Sequence, residues 1–214
     1  MRRGLIAAVL GATLAVPLCG QDSAGMALVR KVDDHYNHLS SLKASYTEHY
    51  SGMGLDRTES GTLLLKKPGR MRWSYAHPAG KVFILDGKAG WFYTPGDTQA
   101  TKIAAKQLDD LRSPLRFLLG HTQLAKELDG LAVTPDGADF KITGVPKGMA
   151  QRVKLLSLDV TPSGAIEKMR LEEVDGSVTE FSFSGMQENV PVQAGDFIFT
   201  PPQGVSVVEG LPPI

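Results

Sequence analysis

Cysteine is almost absent from this 214-residue chain: Cys19 is the only one, so no internal disulfide framework can form. An excess of charge of one sign is also missing. The 23 Lys and Arg balance the 23 Asp and Glu, which argues against a mainly electrostatic partner such as nucleic acid. Long apolar runs are lacking beyond residues 5–18, and that run falls short of the roughly 20 residues of a membrane span. The signatures of common enzyme chemistries are absent as well: no G-x-S-x-G elbow, no P-loop, no G-x-G-x-x-G and no H-E-x-x-H. The expectation is a chain that is not an enzyme and needs no cofactor.

What is present begins with a basic Met1-Arg2-Arg3 followed by the apolar run, the logic of a secretory signal peptide. Residues 1–20 read as that signal, with cleavage between positions 20 and 24, and residues 21–214 as one exported domain. Cys19 leaves a second reading open, retention as a lipidated N-terminal residue. Leu18 stands against it, because lipoprotein processing prefers a small residue before the cysteine. Glycine (23) and proline (13) fall mostly between short apolar runs, which favours all-β architecture over a helical bundle.

Residues 26–39 place Leu28, Val32, Tyr36 and Leu39 at helical spacing. Residues 42–50 then alternate, with Leu42, Ala44 and Tyr46 on one face of a strand. Four further strands are read in GTLLLK, RMRWSY, KVFIL and GWFY of residues 61–93, joined by KPG, HPAG and DGKA, each with the Gly, Pro or Asp of a tight turn. Leu63 and Leu65 share a face, as do Met71, Trp73 and Tyr75. The middle of the chain changes character: Ser113-Pro114 is a helix start with Leu115, Phe117 and Leu118 behind it, and residues 122–128 read as another short helix. Strands resume at 139–145, 153–161, 165–174 and 177–184, with Ser163-Gly164 and Asp175-Gly176 as hairpin turns. His35 and His38 lie three apart on the first helix, but their polar context reads as a solvated helix face, so no metal site is expected. Asp86-Gly87 reads as a turn former.

Three blocks, GTLLLKKPGRMRW, LDGKAGWFY and FIFTPPQGVSV (197–207), resemble the LolA family of periplasmic lipoprotein carriers in content, order and spacing. The resemblance implies a mainly β fold with short helices: a strongly curved, incompletely closed antiparallel barrel with a helical lid. A sheet of that kind can enclose a ligand instead of filling itself. On this reading Leu42, Ala44, Tyr46, Leu63, Leu65, Met71, Trp73 and Tyr75 line a concave lipid-binding face, joined by Val82 and Ile84. Trp91 and Tyr93 are candidates too, although their parity against Phe92 is open. Leu115, Phe117 and Leu118 would form the lid. Lys67, at a strand end on the lipid-side parity, stands where the family carries an arginine that latches the lid, and a lysine lacks that forked, five-donor contact. Lys67 is thus a lid latch, a partner contact or part of a solvated turn; Arg70 and Arg72 read as solvated.

The implied partners are acylated lipoproteins, an inner-membrane ABC-type releasing complex and an outer-membrane lipoprotein acceptor, with the chain itself a monomer. Alternatives on the same fold are a carrier of another lipid or acyl-linked product, a lipidated outer-membrane acceptor anchored through Cys19, and a ligand-sensing regulator.

Overall fold

The protein's computed structural model describes residues 19–104 and 123–210. Helix α1 (Cys19–His38) leads into β1 (Ser41–Gly52), β2 (Leu55–Lys66), β3 (Arg70–His77), β4 (Val82–Asp86), β5 (Ala89–Tyr93) and β6 (Gln99–Ala104). A single helical turn, α2 (Leu124–Glu127), precedes β7 (Leu128–Asp136), β8 (Asp139–Pro146), β9 (Val153–Val160), β10 (Ile166–Glu173) and β11 (Val178–Glu188). A 3-10 turn (Ala194–Phe197) and β12 (Ser206–Glu209) complete the described chain.

These strands form one sheet in the order β12-β6-β5-β4-β3-β2-β1-β11-β10-β9-β8-β7. Among the described residues β12 and β7 are its two unpaired edges, so the sheet is open. Every neighbouring pair is antiparallel except β12 with β6. Antiparallel neighbours need only short turns, and the Gly- and Asp-containing links supply them. Gly164 and Gly176, in the two hairpin turns read from sequence, have φ of 94° and 88°, where a Cβ would be strained. Gly61 meets a different constraint. A Cβ there would stand 2.0 Å from the Ser74 carbonyl oxygen, at the point where the β2–β3 register shifts.

Period-2 alternation places one face of the sheet in a continuous core. Leu42 and Tyr46 of β1, Leu63 and Leu65 of β2 and Met71 and Trp73 of β3 join Leu156, Leu158, Met169, Phe181 and Phe183 from the other half. Helix α1 lies on this side, and Leu28, Val29, Val32, Tyr36 and Leu39 belong to the same core. Apolar spacing of three and four along α1 turns those side chains to one stripe. The helix reaches back to Cys19, further than its apolar stripe signals. Of the helix expected at 122–128, one turn forms, and β7 starts at Leu128; β6, β7 and β12 are not foreseen from sequence. The lid residues Leu115, Phe117 and Leu118, and the signal segment except its last two positions, lie outside the described residues.

The C-terminal block FIFTPPQGVSV packs on the opposite, outer face. Phe197 is buried, and Phe199 stacks obliquely with Trp91 and Tyr93 at ring separations of 5.6 and 5.9 Å. Arg72 is not simply solvated: its Nη1 donates to the Asp196 carbonyl at 3.1 Å, tying this strap to β3.

Candidate functional site: the inner face and its polar end

Strand register decides which candidate side chains meet. Leu42 lies opposite Leu65, Ala44 opposite Leu63 and Tyr46 opposite Gly61. Across the next seam Leu63 faces Trp73, Leu65 faces Met71 and Gly61 faces Tyr75. These eight candidates therefore share the inner face, and all but Tyr75 are almost fully buried. An aromatic series runs along it. Tyr46 meets Trp73 edge-on at 4.4 Å and Tyr75 at 5.6 Å, and Trp73 lies 5.5 Å from Phe181. Such edge contacts are preferred by ring quadrupoles.

Val82, Ile84, Trp91 and Tyr93 are on the other face, which corrects the expected lining. Met71 pairs with Leu85 and Trp73 with Phe83, while Ile84 sits opposite Arg72. Phe92 pairs with Phe83, and Trp91 with Ile84. Thus Phe83, Leu85 and Phe92 face inward. Ile84 is buried, but under the C-terminal strap, whose 3-10 turn packs on β3 and β4.

Past Tyr46 the inner face turns polar. Glu48 continues the parity of β1 and lies opposite Glu59 of β2. Lys81 Nζ donates to both Glu59 carboxylate oxygens at 2.8 and 2.7 Å, with side chains only 11% and 6% exposed. The same ammonium stands 4.3 Å from the Tyr75 ring centre and 5.4 Å from that of Phe92, a desolvated cation–π arrangement. Burial pushes the Tyr75 phenol well up, with Glu48 and Glu59 adding to the rise. The Tyr46 phenol is pushed up by burial first, then by Tyr75, Glu48 and Glu59. Tyr75 is close enough to exert that effect, yet among the described residues Tyr46 Oη is buried without a partner of hydrogen-bonding geometry.

At the opposite end of β2, Lys67 closes the helix onto the sheet. Its Nζ donates to the Tyr36 carbonyl in the last turns of α1, where a cation suits both the free carbonyls and the helix dipole. Burial pulls the Lys67 ammonium down from its ordinary range. Tyr36 is fixed at its other end, where its hydroxyl oxygen accepts from the Ile166 N–H at 2.9 Å, and burial raises its phenol to about 12. Lys31 Nζ donates to the Pro162 carbonyl at 2.7 Å, and Asp33 Oδ1 accepts from the Leu124 N–H at 3.1 Å. Together these hydrogen bonds pin α1 over the inner face.

The family described as "Outer membrane lipoprotein carrier protein LolA" matches residues 37–200. An outer-membrane lipoprotein carrier protein of Photorhabdus laumondii is 31% identical over 83% of this chain and 86% of its own length. The Cronobacter sakazakii protein of the same name is 30% identical over 97% of each chain. The chain belongs to the LolA family. Among solved structures, the Mycobacterium tuberculosis lipoprotein LppX aligns with a TM-score of 0.52 at 16% identity, covering 81% of this chain and 99% of that one. That likeness speaks to the fold: one mainly β, open sheet with few helices.

In this LolA-family chain the remaining candidates have local roles. Asp86 is a turn former: Oδ1 accepts from the Lys88 and Ala89 N–H groups at 2.7 and 2.8 Å, and Oδ2 from the Trp91 indole at 2.9 Å. Burial pushes its carboxyl up, but the hydrogen bonds from Trp91, Ala89 and Lys88 outweigh it and hold it low. His35 Nε2 lies 3.1 Å from Glu188 Oε1, and His38 Nδ1 lies 2.7 Å from the Asp34 carbonyl, so each histidine faces its own partner. The residues that sequence reasoning misses are Glu48, Glu59 and Lys81. The signal was available for one of them: the alternation Leu42, Ala44, Tyr46 runs on to Glu48.

Proposed function

We propose that this protein is a periplasmic carrier that shelters the acyl chains of lipoproteins against the inner face of its open sheet. Family membership supports the cargo class, and the continuous apolar face from Leu42 to Trp73 is the observation that supports the binding surface. Acyl chains gain roughly 0.8 kcal/mol per buried CH₂, so a cargo that simply entered a preformed apolar cavity would leave slowly. Here Leu28, Val29, Val32 and Tyr36 of α1, with Leu39 just beyond its end, already pack on that face. Cargo and helix compete for the same surface, and the packing that α1 gives up offsets part of the gain. Binding is thereby kept loose enough for handover.

Lys67 is the latch in this scheme, holding the Tyr36 carbonyl until cargo displaces α1. The chain does no covalent chemistry. It receives cargo from an inner-membrane ABC-type complex, which supplies the energy, and delivers it to an outer-membrane acceptor. The N-terminal signal segment directs export, and its removal leaves the mature carrier.

The test is binding of an acylated lipopeptide to the mature protein, with its unacylated peptide as reference. The acylated form is expected to bind and to compete with an apolar fluorescent dye, and Leu65→Glu or Met71→Glu to impair both. A carboxylate placed there lacks a partner and is strongly unfavourable, so folding is checked by circular dichroism on the same samples. Equal binding of acylated and unacylated peptides, or folded variants that bind as wild type does, would overturn the reading.

A further inference from the structure

The inner face carries two polar groups that its own side chains leave unanswered. Tyr46 is 2% exposed and, among the described residues, its Oη makes no hydrogen bond of good geometry, the Tyr75 hydroxyl beside it included; a buried hydroxyl left so normally costs its full desolvation penalty. Glu48, two residues further along the same face of β1, lies opposite Glu59 and Phe181. Like charges directly opposite each other destabilise a sheet. Glu59 is answered by Lys81 at 2.7 Å and by Arg57 Nε at 3.8 Å. Glu48 has no hydrogen bond or ion pair within 4 Å among the described residues. Burial and the Glu59 charge push its carboxyl up, against pulls from Lys81 and Arg57. One unused donor and one unused acceptor thus stand side by side, and Trp73, 4.4 Å from the Tyr46 ring, begins the apolar wall beside them.

We propose that Tyr46 and Glu48 form a polar subsite for the acylated cysteine end of the cargo, Tyr46 Oη donating to an acyl carbonyl and Glu48 accepting from an N–H group. This rests on the carrier reading above. The ligand it fits is apolar along most of its length and, at one end, offers an acceptor and a donor within a few bonds. The N–H donor has two possible sources, the free α-ammonium of a diacylated cysteine or the amide of an N-acylated one. The acyl chains would then run from this point along Trp73, Leu63 and Leu65 towards Lys67, at the far end of β2. A subsite of this kind sets the depth to which the cargo enters and which end leads.

The experiment uses the mature protein with three probes: a synthetic S-diacylglyceryl-cysteine peptide with a free α-amine, its N-palmitoyl counterpart, and an apolar fluorescent dye. Tyr46→Phe is expected to weaken both lipopeptides by about fivefold, the equivalent of one net hydrogen bond, to leave dye binding unchanged, and not to lower the unfolding midpoint. A role confined to packing would not separate those readouts. Glu48→Gln is expected to weaken the free-amine peptide by about tenfold while sparing the N-palmitoyl one if the ammonium is the donor. If the amide is the donor, Glu48→Leu weakens the N-palmitoyl peptide, and Glu48→Gln, which keeps an acceptor oxygen, does not. Wild-type affinity for both lipopeptides in all three variants overturns the subsite and leaves the carrier reading standing. Binding of the dye but of neither lipopeptide by the wild-type protein refutes the carrier reading and the subsite with it.

Discussion

Replacing Lys81 by methionine tests the polar end of the inner face most severely. The ammonium bonds both oxygens of Glu59 at 2.8 and 2.7 Å, and the two side chains are 11% and 6% exposed. A pair this deep is not a surface salt bridge, for which about 0–1 kcal/mol is usual. Removing one partner leaves an uncompensated buried charge, which costs about 3–5 kcal/mol. Arg57, 3.8 Å from Glu59 Oε1 but half exposed, can take over some of the compensation, so the lower end, about 3 kcal/mol, is expected. Glu48 across the strand seam makes matters worse, because two inward carboxylates then face each other. The assay is urea unfolding of the mature protein followed by tryptophan fluorescence, since Trp73 reports on the same face. Glu59→Leu added to Lys81→Met removes both charges, and most of the lost stability is expected to return. A loss below about 1 kcal/mol for Lys81→Met would show that the pair is solvated and that the polar end is not buried as described.

Lys67→Leu is expected to cost about 1 kcal/mol, the loss of one partly exposed polar contact, and to change the rate of cargo transfer; Lys66→Leu, which points outward, is the control, and equal transfer rates for both variants and wild type would remove the latch. Gly61→Ala is expected to destabilise by about 1–3 kcal/mol, because its Cβ would stand 2.0 Å from the Ser74 carbonyl oxygen; an unchanged urea midpoint would show that the β2–β3 seam relaxes freely. Glu48→Gln is expected to stabilise near neutral pH. The raised carboxyl of Glu48 binds its proton more tightly folded than unfolded, so its penalty is present above the folded pKa and vanishes as pH falls below the unfolded value. The gain from the substitution should fade through the carboxylate range on acidification, and a gain independent of pH between 4 and 8 would refute the assignment.

How much of this was legible in the sequence differs along the chain. β1 to β3 read correctly because Lys43, Ser45, Arg72 and Ser74 interleave with Leu42, Ala44, Met71 and Trp73, and a one-sided strand reveals its inner face. β4 and β5 do not. Val82, Phe83, Ile84 and Leu85 are apolar on both faces, since the outer one is covered by the C-terminal strap with Phe197 and Phe199. Alternation carries no information there, and only the Met71–Leu85 pairing shows which parity turns inward. The Glu59–Lys81 pair joins positions 22 apart through two strand seams, a proximity that no local pattern encodes. Arg72 looked like part of a solvated turn because its acceptor, the Asp196 carbonyl, is 124 residues away.

The central claim is that acyl chains contact the inner face and not the outer one. Photo-crosslinking measures this directly, with benzoylphenylalanine placed at Leu65 on the inner face and, separately, at Ile84 beneath the outer strap, each variant irradiated with an acylated lipoprotein. Crosslinks that depend on the acyl chains are expected from position 65 and not from position 84. Acyl-dependent crosslinks from 84 alone, or none from 65 in a folded variant, would contradict a carrier that holds its cargo against the concave side of the sheet.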